Sequence, residues 1–123
     1  MVKIMIVDDS KTSRRILRTI LEPYGYEVVC EAANGMEAIE QYKNCRPDIV
    51  TMDITMPEMD GLEALKMIIA EDAAARVIMV TAAAQKNKMF DAIKLGAVDF
   101  IQKPFEAEQI VSIIEKACSE NNH

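Results

Sequence analysis

The chain of 123 residues has no tryptophan, and glycine and proline are sparse at four each. With half of the residues hydrophobic and 28% charged, that scarcity excludes a disordered or collagen-like chain, and the length fits one compact domain. Cysteine is also scarce. Cys30, Cys45 and Cys118 are odd in number and show no CxxC or Cys/His spacing, so neither a disulfide framework nor a zinc site is indicated. They are expected to be small buried hydrophobes in a reducing cytoplasm. No apolar run approaches the roughly 18 residues that cross a bilayer. The opening MVKIMIV runs directly into Asp8 and Asp9, so it reads neither as a membrane helix nor as a signal peptide. Basic residues are outnumbered 14 to 20, for a net charge of −6. Binding of nucleic acid would work against that field, and a cation is the better-suited ligand.

Two periods alternate along the chain. Short apolar runs at Lys3 to Val7, Glu27 to Cys30, Asp48 to Met52, Arg76 to Val80 and Val98 to Ile101 read as five strands. Between and after them, helical spacing groups Ile16, Leu17, Ile20 and Leu21; Ala38, Ile39 and Tyr42; Leu62, Leu65, Ile68 and Ile69; Met89 and Ile93; and Ile110, Ile113, Ile114 and Ala117. Asn34 and Asp60 stand at N-cap positions, Gly96 closes the fourth helix, and Pro23 with Gly25 closes the first. Continuous apolar strands are buried on both faces, and strict strand and helix alternation predicts an α/β fold with a doubly wound parallel sheet. The expected architecture is flavodoxin-like, (βα)5, with strand order 2-1-3-4-5 and the ligand beyond the carboxyl ends of strands 1 and 3. A single domain over residues 1–123 is expected, with no effector domain and a frayed end from Ser119 to His123.

Polar residues fall where that rule puts a site. Asp8 and Asp9 follow strand 1, Asp53 strand 3, Thr81 strand 4 and Lys103 strand 5. Any one of them could simply mark where a strand meets solvent. Together they bring three carboxylates, a hydroxyl and an ammonium to one crevice, a composition suited to a hard divalent cation and an oxyanion.

The motifs VDDS (Val7 to Ser10), MDITMPEMDG (Met52 to Gly61), VTAAA (Val80 to Ala84) and KPF (Lys103 to Phe105) stand in this order. On these motifs the chain resembles response regulator receiver domains over essentially its whole length, and among them the CheY-like receivers that act alone in chemotaxis. The resemblance implies that a CheA-like histidine kinase phosphorylates Asp53 and that Asp8, Asp9, Asp53 and the backbone carbonyl of Thr55 hold Mg2+. It implies that Thr81 and Lys103 contact the phosphoryl group and that Thr81 and Phe100 form a switch. It favours a cis Lys103–Pro104 bond, where the sequence alone defaults to trans. Lys86, Met89, Phe90, Lys94 and Gln102 become a partner surface, meeting a flagellar switch protein or another downstream protein, with a phosphatase as a further partner. Read without the resemblance, those lysines are a solvated helix face, and Met89 and Phe90 are core. The implied molecule is a cytoplasmic monomer that binds neither nucleic acid nor membrane, a phosphoacceptor and not an enzyme.

Elementary chemistry agrees with those roles. Phosphoryl transfer needs an in-line nucleophile and neutralisation of charge, and an aspartate can form an acyl phosphate. Three crowded carboxylates repel one another unless a cation shares them. Lys103 is expected to pair with Asp53 before phosphorylation. The resemblance also implies that Thr55 and Ala83, two residues beyond Asp53 and Thr81, tune hydrolysis, and with neither a carboxylate nor an amide they are expected to hold the attacking water poorly. Met56 and Met59 read either as anchors of the loop after Asp53 or as contacts to the kinase. Three alternatives stay open: a stand-alone phosphorelay intermediate; a nucleotide-binding flavodoxin-like protein, although no GxGxxG follows strand 1; and a Mg2+-dependent aspartyl-phosphate phosphohydrolase, although no cap domain is evident.

Overall fold

The computed structural model describes residues 1–82 and 85–119. Strands β1 (Lys3–Val7), β2 (Glu27–Ala32), β3 (Ile49–Asp53), β4 (Val77–Thr81) and β5 (Asp99–Gln102) alternate with helices α1 (Lys11–Leu21), α2 (Gly35–Cys45), α3 (Gly61–Glu71), α4 (Lys86–Leu95) and α5 (Ala107–Ser119). All strand pairs are parallel, in the expected order β2-β1-β3-β4-β5. Successive side chains of a strand point to opposite faces, so the sheet divides the core in two. Met5, Val7, Val50, Met52, Val77 and Met79 pack with Ala38, Tyr42, Leu65, Ile68 and Ala92 from α2, α3 and α4. Ile4, Ile6, Ile49, Ile78, Val80 and Ile101 pack with Leu17, Leu21, Ile110 and Ile114 from α1 and α5.

Local chemistry sets the helix starts. Ser10, Asn34 and Asp60 each accept a hydrogen bond from the backbone N–H three residues on, at Ser13, Glu37 and Glu63. Glu37 returns the bond by accepting from the Ala33 N–H, which completes a capping box displaced by one residue. Pro23 lies in a single 3-10 turn, Glu22–Tyr24, that ends on Gly25 at φ 88°, and Gly96 closes α4 at φ 112°.

The structure corrects several expectations. Four strands run further than their apolar runs: β2 reaches Ala32, β5 reaches Gln102, and Asp53 and Thr81 are the last residues of β3 and β4 and not the first of the loops. Ile16 and Ile93 leave the apolar faces assigned to them and are about half exposed, because Leu17 and Ala92 take the inward positions. The three cysteines are half-buried and free, not fully enclosed. Met56 is buried and Met59 half-buried against the α2–α4 side of the core, so both anchor the loop after Asp53. Ser119 ends α5, and residues 120–123 fall outside the described part. Lys103–Pro104 is cis.

Gly61 starts α3 where a side chain has no room. Its N–H donates to the Ile54 carbonyl at 2.6 Å, and a Cβ there would overlap the Asp53 carbonyl oxygen and come within 2.9 Å of the Ile54 Cα. Backbone cannot yield as a flexible side chain can, so Gly61→Ala is expected to destabilise the fold by about 1–3 kcal/mol in urea unfolding. Gly25→Ala, with open space but a left-handed backbone, should cost only about 1 kcal/mol. Equal losses at the two sites would contradict this account.

Candidate functional site

The carboxyl ends of β1 and β3 lie side by side, with Val7 paired to Met52, so Asp8 and Asp53 emerge next to one another. One carboxylate oxygen from each of Asp8, Asp9 and Asp53 lies within 4.8 Å of the others. Asp8 and Asp53 are buried, and Asp9 is exposed. Asp8 is held throughout: its N–H donates to the Ala32 carbonyl at 3.0 Å, and its Oδ1 accepts from the Ser10 N–H at 2.8 Å. Lys103, from the turn after β5, reaches across two strands. Its Nζ lies 3.3 Å from Asp8 Oδ2 and 3.6 Å from Asp53 Oδ2, so the ammonium expected to pair with Asp53 is shared and sits closer to Asp8.

One ammonium does not balance three carboxylates. Burial, then the nearby Asp8, push the Asp53 carboxyl up to about 6; the attraction of Lys103 opposes this, and Asp9 adds to it. An all-oxygen donor set with excess negative charge is the environment a hard divalent cation neutralises, and these residues fit Mg2+ on that ground.

Thr81 is buried, and its Oγ donates to the Ala82 carbonyl at 2.8 Å. Gln85, which none of the motifs singles out, joins the loops bordering Asp53. Its N–H donates to the Ala82 carbonyl at 3.0 Å, its Oε1 accepts from the Ala82 N–H at 3.1 Å, and its Nε2 donates to Thr55 Oγ. The Thr55 hydroxyl is therefore engaged by a carboxamide, a group that the residue types at 55 and 83 do not foreshadow. Ala83 lies outside the described residues. Arg14 also escapes the motifs, although its Nη1 donates to the Asp8 carbonyl at 2.6 Å. Only its place on α1, six residues beyond Asp8, could have drawn notice to it.

Phe100 is half-buried against the α2–α4 side of the core. Of the residues assigned to a partner surface, Phe90 is 73% exposed, so it is not core; Lys94 and Gln102 are exposed, and Met89 is half-buried. The side chain of Lys86 lies outside the described residues.

The family model described as the response regulator receiver domain matches residues 4–115. The chain is 52% identical to the chemotaxis protein CheY of Listeria monocytogenes over 96% of this chain and 99% of that protein. It is 53% identical to CheY of Bacillus subtilis over 95% of this chain and 98% of that one. Among solved structures, it superposes with a TM-score of 0.90 on a chain of the CheX–CheY–BeF3–Mg2+ complex of Borrelia burgdorferi. The identity is 38%, covering 94% of this chain and 87% of that one.

The carboxylate cluster makes a specific demand on stability. A carboxyl whose value rises from 3.8 unfolded to about 6 folded binds its proton more tightly in the native state. Its contribution is present below pH 4 and is lost as pH rises through about 6. In EDTA, Asp53→Asn should therefore stabilise the protein at pH 7 by about 1–2 kcal/mol and give little gain at pH 4. Thermal midpoints of the two proteins at both pH values test this, and a gain independent of pH would contradict it.

Proposed function

The chain belongs to the response regulator receiver domain family, and on that premise we propose that it takes a phosphoryl group onto Asp53 from a histidine kinase, with Mg2+, and signals to a partner protein in chemotaxis. The observation that carries this reading is Asp53 at the end of β3, clustered with the two aspartates that follow β1 and 3.6 Å from the ammonium of Lys103. Chemotaxis rests on relatives named CheY that match nearly the full length, and a stand-alone phosphorelay intermediate is the reading to be tested against it. Among the described residues no helix is long and apolar enough to cross a membrane, and the site of action proposed is the cytoplasm.

The steps follow from the side chains. Asp8, Asp9, Asp53 and the Thr55 carbonyl would hold Mg2+, which supplies neutralisation of phosphoryl oxygens. The free Asp53 oxygen attacks phosphorus in line, the P–O bond to the donor breaks, and the donor leaves with the electron pair. Lys103, released from sharing Asp8, turns to the new dianion as a charge-assisted donor. The Thr81 hydroxyl exchanges the Ala82 carbonyl for a phosphoryl oxygen. Drawing Thr81 inward alters the packing next to Phe100 on β5, and the exposed Phe90 and Lys94 of α4 would report the change to a partner. Phe100 has no phenolic oxygen, so its two positions differ in packing alone. The proposed output is a changed affinity for the partner protein.

Incubation with a small phosphodonor tests the assignment. Asp53→Asn is expected to abolish hydroxylamine-sensitive, acid-labile phosphate, and EDTA to do the same to the wild type. Lys103→Ala should still be labelled but lose phosphorylation-dependent binding to a flagellar switch protein. Stoichiometric label on the Asp53→Asn variant would move the acceptor elsewhere.

Lifetime is a separate expectation. Thr55 and Ala83 carry no carboxylate or amide to hold an attacking water, and the hydroxyl of Thr55 is already bonded by Gln85. Thr55→Asn combined with Ala83→Glu should speed phosphate release roughly tenfold by positioning that water. An unchanged or slower release would show that these two side chains do not limit the reaction.

A further inference from the structure

Arg14 makes a connection for which the carboxylate site has no other substitute among the described residues. It lies one turn into α1, and helical side chains lean toward the N-terminus, so its guanidinium returns to the loop from which the helix began. There Nη1 donates to the Asp8 carbonyl at 2.6 Å, while Nε donates to Glu31 Oε1 on β2 at 2.9 Å. The other carboxylate oxygen of Glu31 accepts from Arg18 Nη2 at 2.6 Å and from Arg18 Nε at 3.1 Å. The Arg14 side chain is only 15% exposed, so this is an enclosed pair and not a loose surface contact. Burial alone would raise the Glu31 carboxyl, but the hydrogen bonds from Arg18 and Arg14 outweigh it and hold the group below its ordinary value.

We propose that Arg14, held by Glu31, is a positioning residue for cation binding, because it fixes the peptide between Asp8 and Asp9 so that both carboxylates face Asp53. The proposal rests on the reading of those aspartates as the Mg2+ site. The oxygen it grips belongs to the peptide that joins the two residues, so the grip sets the direction from which the Asp9 side chain leaves the backbone. Asp9 is the exposed member of the cluster and has the greatest freedom to turn away. A planar guanidinium can bridge Glu31 and the carbonyl with two donors at a fixed spacing, which the single ammonium of lysine cannot reproduce.

Charge and position have opposite signs here, which makes the proposal testable. Arg14 places a positive charge beside a cation site, so by charge alone its removal would tighten Mg2+ binding, whereas loss of the grip would weaken it. Calorimetric Mg2+ titration of the full-length, unphosphorylated protein is the measurement, with the thermal midpoint in EDTA recorded to show that each variant is folded. We expect Arg14→Met to bind Mg2+ about tenfold more weakly and Arg14→Lys to weaken nearly as much despite its retained charge. Glu31→Gln should weaken binding in the wild-type background and add little to the loss already caused by Arg14→Met. If the wild type binds Mg2+ and either folded Arg14 variant binds as tightly or more tightly, the positioning role is wrong and the function reading stands. If the wild type does not bind Mg2+, the function reading fails and takes this role with it. Should Arg14→Met not fold, Arg14→Lys alone decides.

Discussion

Like-charge crowding at one end of a parallel sheet is the constraint on which the rest of this molecule depends. Asp8, Asp9 and Asp53 converge because β1 and β3 are neighbours in register, and that adjacency comes from the 2-1-3-4-5 order. The fold has to hold together a cluster that its own electrostatics would disperse. The surrounding contacts answer that need. Lys103 divides its charge between two carboxylates, Ser10 and Ala32 hold Asp8 by side chain and backbone, and the close approach of Gly61 to the Asp53 carbonyl leaves β3 no slack. A protein built for stability alone would have no reason to place these groups together. The repulsion is what makes a cation a favourable addition.

The neutral donors at the site are arranged differently from the charged ones. Thr81, Ala82, Thr55 and Gln85 bond to one another, so the hydroxyls and amide next to Asp53 are satisfied among themselves. A new anion on Asp53 would compete for donors that are already in use. Such competition gives a local chemical event a means of moving a loop, since a donor that changes partner draws its segment with it. The loop concerned leads into α4, whose outer side carries Phe90 and Ile93 exposed to solvent. On the opposite side of the sheet, α1 and α5 enclose their own core cluster.

The architecture is legible in the sequence because its signals are local and repeated. Apolar runs mark the strands, Asn34 and Asp60 mark helix starts, and strict alternation determines a parallel sheet whose ligand end follows by rule. The aspartates, Thr81 and Lys103 stand out because each lies where a strand ends. What the sequence does not show depends on contacts between distant segments. Nothing in the neighbourhood of Gln85 indicates that its amide reaches Thr55, thirty residues earlier. Arg14 and Glu31 are separated by 17 residues and each resembles an ordinary surface charge. Spacing places Ile16 and Ile93 inward, but a helix covering one edge of a sheet buries a narrower stripe than its full apolar arc, and Leu17 and Ala92 occupy it. The strands outrun their apolar runs at Asp53 and Thr81 because backbone pairing to neighbours, not hydrophobicity, determines where a strand ends.

Lys103 lies 95 residues beyond Asp8, on the turn after an edge strand. Its place gives the order of chain synthesis a meaning. The three aspartates are synthesised before the ammonium that pairs with them, so the acidic cluster stays without it until β5 docks. Completion of the sheet and partial neutralisation of the acidic cluster thus arrive together, and a copy whose β5 edge has opened loses both at once.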